Sequence, residues 1–184
     1  MQKSALRRHF SQVRKQLPEV LRSRAEKIIC FHLQKHIPEN AAVLSYLPYG
    51  SEVDISGFIK YYFTRGIILA PRVKSGKRRM EIVRIRDFNG LVPGYRGIPE
   101  PAEGEIWNDP VDYALVPGLC FDLGRQRTGY GGGFFDYFLQ NRIVKKAVGV
   151  FFSCQLCHNI PVQKHDIALS AIITELFITG SIND

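Results

Sequence analysis

Apolar positions in the first forty residues recur with the period of a helix. Leu6, Phe10, Val13 and Leu17 fall three and four apart, so the spacing predicts an amphipathic helix over 3–17 with basic residues on its other faces. Pro18 interrupts it, and Leu21, Ala25, Ile28, Ile29 and Leu33 predict a second helix over about 19–36 that Pro38 closes. The pattern then changes. AAVLSYL (41–47) reads as a buried strand, Ile55 to Arg65 as a helix, and GIILAPRV (66–73) as a second strand. MEIVRI (80–85) alternates like a third, DYALVPGL (112–119) is a fourth apolar run, and KKAVGVFF and AIITE supply two more. Phe134, Phe135, Phe138 and Leu139 give GFFDYFLQN helical spacing, whereas residues 89–110, rich in Gly and Pro, read as an ordered, irregular connection. Strand and helix alternate. The expectation is an α/β fold: a three-layer α/β/α sandwich with a mostly parallel central sheet, in one domain over 1–184, with ligands at the carboxyl ends of the strands.

Composition supports a packed core. Of 184 residues 45% are hydrophobic, which excludes wholesale disorder. The net charge of +8 suggests a polyanionic partner, and it is unevenly placed. Residues 1–36 carry nine basic and two acidic side chains, residues 72–86 seven and one, and the remainder is net acidic. Either patch, taken alone, reads equally as a solvated face. No run approaches the ~20 apolar residues of a membrane-spanning helix, and MQKSALRRHF lacks the apolar core of a secretory leader. Four cysteines are too few for a disulfide framework, so the expectation is a cytoplasmic protein with free thiols and no membrane partner. Cys154, Cys157 and His158 match a C-x-x-C-H haem-attachment pattern, but no export route and no second cysteine pair accompany them, so the match reads as accidental.

Chemistry concentrates in VPGLCFDLGRQRTGYGGGFFDYFL (116–139). A strand runs into a loop with Arg125 and Arg127, then Gly129, Gly131, Gly132 and Gly133, then a helix with Asp136 in its first turns. Side-chain-free backbone can close its N–H groups around phosphate oxygens, and the positive helix end adds to the attraction. Arg127 can fork onto two phosphate oxygens. The loop is not a P-loop, since Tyr130 stands where Lys is needed, nor a dinucleotide fingerprint, since Phe134 replaces the last Gly. Glycines alone also serve plain strand-to-helix turns; the arginines and carboxylate favour phosphate. Asp166 is a candidate partner for Asp136 at a Mg²⁺ site, although thirty residues of spacing do not establish that they meet. Lys3, Arg7 and Arg14 share a helix face that can reach a polyphosphate. Glu52 follows a buried strand by a short turn, where α/β enzymes place substrate-binding groups.

Taken in order, KSALR (3–7), SYLPYGSEVD (45–54), GIILAPRV, MEIVRI, GIPEP (97–101), the glycine block and IPVQKHD…AIITE resemble the 5-formyltetrahydrofolate cyclo-ligase family across nearly the whole chain. The resemblance implies an α/β enzyme that converts 5-formyltetrahydrofolate to 5,10-methenyltetrahydrofolate with ATP and Mg²⁺, releasing ADP and phosphate through a phosphorylated formyl intermediate. It assigns ATP contacts to Lys3, Ser4, Ala5, Leu6 and Arg7 and to Arg127, Thr128, Gly129, Tyr130, Gly131, Gly132, Gly133, Phe134 and Phe135. Arg7, Leu47, Glu52 and Tyr130 to Phe134 match substrate positions, Asp136 and Asp166 match metal positions, and Arg127 is the candidate catalytic cation. Thr128, Phe134, Phe135, the Ile55-Ser56 pair and Ser170 depart from the usual family pattern. The 72–86 patch is expected to attract the anionic glutamate tail of the folate. The competing reading is a non-catalytic nucleotide- or RNA-binding protein of the same fold. The basic patches, however, lack the interleaved aromatics that stack single strands, so ATP and the folate are the expected partners, nucleic acid is not, and a monomer is expected.

Overall fold

The computed structural model describes residues 2–73, 79–163 and 166–183. Two helices come first, α1 (Lys3–Lys15) and α2 (Glu19–His36). Pro18, the residue just before α2, has no N–H to contribute, so the helical ladder cannot run through it. The chain then follows β1 (Ala42–Leu44), α3 (Ser56–Tyr62), β2 (Ile67–Val73) and β3 (Met80–Ile85). Short strands β4 (Leu91–Pro93), β5 (Pro99–Pro101) and β6 (Glu105–Ile106) precede β7 (Val111–Val116), β8 (Cys120–Phe121) and β9 (Arg127–Thr128). After α4 (Phe134–Asn141) come β10 (Val144–Val150), β11 (Ala171–Ile173) and β12 (Ile178–Gly180).

One eight-stranded sheet, in the order β12-β11-β10-β7-β1-β2-β3-β6, organises these elements. Its centre, β11-β10-β7-β1-β2, is parallel, while β12, β3 and β6 pair antiparallel at the two sides. The alternation of side chains across each strand builds two cores. Val43, Ile68, Ala70, Leu115 and Val148 face Ala25, Ile29 and Leu33 of α2 and Phe58, Ile59 and Tyr62 of α3. Ala42, Leu44, Leu69, Ala114 and Val116 face the other way, with Phe138 of α4, Phe121 and Phe151. The three-layer, mostly parallel arrangement expected from the sequence is the one observed. Helix α1 stands apart, seating Leu6 and Phe10 on Leu119, Cys120 and Ile160.

The differences are local. The strand read over 41–47 stops at Leu44, and the stretch read as irregular contains the β4–β5 hairpin and the edge strand β6. Glu100 organises the hairpin: one carboxylate oxygen accepts the Val73 N–H at 3.0 Å and the other the Tyr95 N–H at 2.9 Å. Strand β12 was not anticipated because its turn has neither Gly nor Pro. The Thr174 hydroxyl makes that turn instead, accepting the Phe177 N–H at 3.0 Å and the Leu176 N–H at 3.3 Å.

Strand order decides where a ligand can sit. From β1 the chain moves to β2 on one side, whereas β7 pairs with the other side of β1 and leads to β10. Loops leaving β1 and β7 therefore diverge above the sheet, and a crevice opens between their carboxyl ends.

Candidate active site

Two cavities meet in that crevice. One, of about 250 Å³, is lined mainly by apolar and aromatic groups: Tyr46, Leu47, Tyr49, Pro71, Val73, Met80, Tyr95, Ile98, Phe134 and Phe135, with Glu52 and Glu100 among the polar exceptions. The other, of about 240 Å³, is lined by Lys3, Arg7, Arg127, Asp136, Gln163, Asp166 and glycine-loop backbone. Arg127, Gly129, Gly133 and Asp136 line both, so the glycine loop is a shared wall. A shallower depression against Gln2, Lys3, Ser4, Pro161 and Gln163 lies on the Lys3 side.

The polar cavity is a balanced set of charges. Lys3, at the start of α1, pairs with Asp166, whose carboxylate also accepts the Gln163 N–H at 2.6 Å. Arg127 forks onto Asp136 at 2.9 and 3.4 Å. Asp136 sits in the first turn of α4, where the helix dipole favours negative charge. Gly133 enters that helix with φ +70°, a conformation that favours glycine and frees the backbone to turn toward the cavity. The Nε–H of Arg127 is buried without a partner among the described residues. A buried donor left unsatisfied costs about 1–3 kcal/mol. Arg7 donates its Nε–H to the Gly129 carbonyl at 2.9 Å, binding α1 to the loop. Leu6, by contrast, turns its side chain into the core, leaving only its backbone on offer to a ligand.

The apolar cavity has a charged corner. Glu52 accepts the Tyr49 N–H at 3.0 Å and shares the cavity wall with Tyr130. Burial raises its carboxyl above the usual range, while Tyr130, the Tyr49 N–H and the positive charge of Arg14 pull it back. Burial likewise raises the Tyr46 phenol, which donates to the Val53 carbonyl at 2.8 Å. Tyr95 lies edge-on to Phe134, their ring centroids 5.2 Å apart, so a phenylalanine at 134 serves that contact without a hydroxyl. Ser170 accepts the Ala147 N–H at 3.1 Å and serves the sheet.

Asp136 and Asp166, which spacing could not connect, share one cavity, and Glu52 and Leu47 share the other. Sequence reasoning missed the contributions of Tyr46, Tyr49, Tyr95, Arg96 and Glu100. GIPEP was noticed as a pattern, yet a glutamate between prolines on a hairpin gives no local sign that it faces a cavity. Of the 72–86 patch, residues 74–78 lie outside the described residues; Arg72 pairs with Glu81 at 3.0 Å and Arg84 with Glu105 at 3.6 Å, which neutralises part of it.

Residues 1–175 match the model of the 5-formyltetrahydrofolate cyclo-ligase family. The chain is 28% identical over 144 residues to a mouse 5-formyltetrahydrofolate cyclo-ligase, covering 71% of each. It is 26% identical over 185 residues to the Mycolicibacterium smegmatis protein of that name, covering 94% of this chain and 93% of the relative. The NMR structure of Aquifex aeolicus 5,10-methenyltetrahydrofolate synthetase superposes with a TM-score of 0.84 at 31% identity, over all of this chain and 94% of that one.

Proposed function

Because this chain belongs to the 5-formyltetrahydrofolate cyclo-ligase family, we propose that it closes 5-formyltetrahydrofolate to 5,10-methenyltetrahydrofolate at the expense of ATP, all within one catalytic domain. The observation that carries the reading is the pair of cavities with one wall. An apolar, aromatic cavity with an acidic corner suits a pteridine ring, whose N–H groups need an acceptor and whose faces need apolar cover. A polar cavity with three cationic side chains against two aspartates, floored by glycine backbone and a helix N-terminus, suits a triphosphate with its metal. The reacting groups meet at the shared wall.

The formyl oxygen is a poor leaving group. Its attack on the γ-phosphorus breaks the bond to ADP and leaves an iminium phosphate at N5. N10 then attacks the formyl carbon, loses its proton, and expels inorganic phosphate as the ring closes. Positioning and charge neutralisation are the protein's main tasks. Arg127, on both walls, steadies the transferring phosphoryl group, and Lys3 and Arg7 hold the rest of the polyphosphate. Leu47 and the tyrosines around it cover the pteridine, and Glu52 orients it by accepting its N–H groups.

Asp136 and Asp166 would hold Mg²⁺. They offer only hard oxygen donors, they face one cavity, and two carboxylates completed by phosphate oxygens and water meet that ion's preference. When bound, it offsets charge on the phosphate oxygens. Arg127 and Lys3 neutralise these aspartates. With these carboxylates on the metal, Arg127 and Lys3 would be free to turn to phosphate oxygens without leaving either charge bare.

The test incubates the protein with 5-formyltetrahydrofolate, ATP and Mg²⁺ and follows the ultraviolet band of the methenyl product. Product formation that needs all three is expected; no ATP-dependent signal would reject the reading.

A further inference from the structure

We propose that Arg14 is a positioning residue for Glu52, acting through Tyr130 so that the glycine loop and the folate cavity hold one shape; this rests on the function proposed above. Arg14 lies on the buried side of α1 and is only 4% exposed. Its Nε–H donates to the Ser51 hydroxyl at 3.0 Å, one Nη to the Gly118 carbonyl at 3.1 Å, and the other to the Tyr130 hydroxyl at 2.6 Å. These partners belong to three separate segments: the turn that carries Glu52, the end of β7, and the glycine loop. Among the described residues its guanidinium touches no carboxylate directly. Its positive charge nevertheless lowers the Glu52 carboxyl.

Donor and acceptor chemistry sets the order of that chain. Arginine has no acceptor, so the Tyr130 oxygen must receive its N–H, which leaves the Tyr130 proton available to Glu52 on the same cavity wall. Glu52 is thereby aimed by Tyr130 on one side and by the Tyr49 N–H on the other, with its remaining lone pairs free for substrate. Arg22 braces the arrangement, donating to the Arg14 and Ser51 carbonyls and lying over the Phe152 ring at 5.0 Å. A lysine at 14 would supply a single ammonium in place of a fork with three directions. The groups that face Glu52 are Tyr130, the Tyr49 N–H, Arg14 and the buried Tyr46 phenol. Loss of the first or third leaves burial less opposed and raises the Glu52 carboxyl further.

Calorimetry on wild type, Tyr130→Phe, Arg14→Lys and the double variant, with 5-formyltetrahydrofolate and Mg-ATP titrated separately between pH 5 and 8, tests this. Each single variant should bind the folate about tenfold more weakly, the usual order for a lost hydrogen bond to a charged group, and lose several-fold less affinity for Mg-ATP than for the folate. The double variant should be no worse than the poorer single one, since the two residues act in one chain. The acid limb of folate binding should move to higher pH in Tyr130→Phe. Equal weakening of both ligands, additive losses, or an unmoved acid limb would overturn the proposal. If Arg14→Lys does not fold, Tyr130→Phe decides through its ligand selectivity and its acid limb, because Tyr130 is 47% exposed and only a hydroxyl is lost. A wild type that binds neither ligand refutes the proposed function itself, and this inference with it.

Discussion

Replacing Asp136 with Asn separates two tasks of one carboxylate. Asp136 neutralises Arg127, whose side chain is 4% exposed against 19% for the aspartate. Removing one partner of a fully buried pair costs about 3–5 kcal/mol, but the Asn oxygen still accepts from Arg127 and the site is partly open, so about 1–2 kcal/mol is expected. For a chain of this size that lowers Tm by roughly 2–8 °C. The liganded protein reports the second task. Mg-ATP at about one hundred times its Kd adds about 2.7 kcal/mol, or roughly 5–11 °C. Losing one of the two proposed metal carboxylates should weaken binding about tenfold or more, which cuts that increment to about 1.4 kcal/mol or less at the same concentration. Thermal unfolding of both proteins with ATP, in Mg²⁺ and in EDTA, reads the two quantities apart. A variant that melts lower yet keeps the full magnesium-dependent increment would refute Asp136 as a metal ligand and leave it a structural partner of Arg127.

Glu52→Gln should trade function for stability: the folded carboxyl is raised by burial, so its ionised form destabilises the fold at pH above that value. The variant should melt as high as wild type or higher at pH 7, lose that advantage as pH falls toward 4, and bind the folate poorly; a lower Tm at pH 7 with the gap unchanged at pH 4 would contradict this. Asp112 has the opposite sign. Partial burial pushes its carboxyl up, but Lys145 and the Ala42 N–H outweigh this and leave it below the usual range. Its stabilisation is therefore present above about pH 4 and lost as pH falls through the folded value, so the difference between wild type and Asp112→Asn in urea unfolding should be full at pH 6 and shrink at pH 3. Gly94→Ala would set a methyl 2.2 Å from the Glu100 carboxyl carbon, displacing the group that ties β2 to the hairpin. Urea unfolding should register a loss of about 1–3 kcal/mol and the KM for the folate should rise; a neutral substitution would show that Glu100 does not shape the cavity.

Local patterns were legible because their causes are local. The stripe Ala25, Ile29, Leu33 follows from helical pitch, the runs at 67–73 and 111–116 from burial on both faces of a parallel sheet, and the glycines at 129–133 announce a backbone that must approach something closely. These residues by themselves determined the α/β class, the candidate phosphate loop and the family likeness. Tertiary structure decided which distant residues became neighbours. Lys3 meets Asp166 across 163 positions and Arg14 meets Tyr130 across 116, because α1 packs on the segment that follows β7 and strand order opens the crevice there. Glu100 and Tyr95 reach the cavity only because the hairpin leans on β2. Hydrophobic periodicity records which face of an element is buried but carries no information on what buries it; that is settled by how the sheet is ordered, and with it which charges are left to face one another.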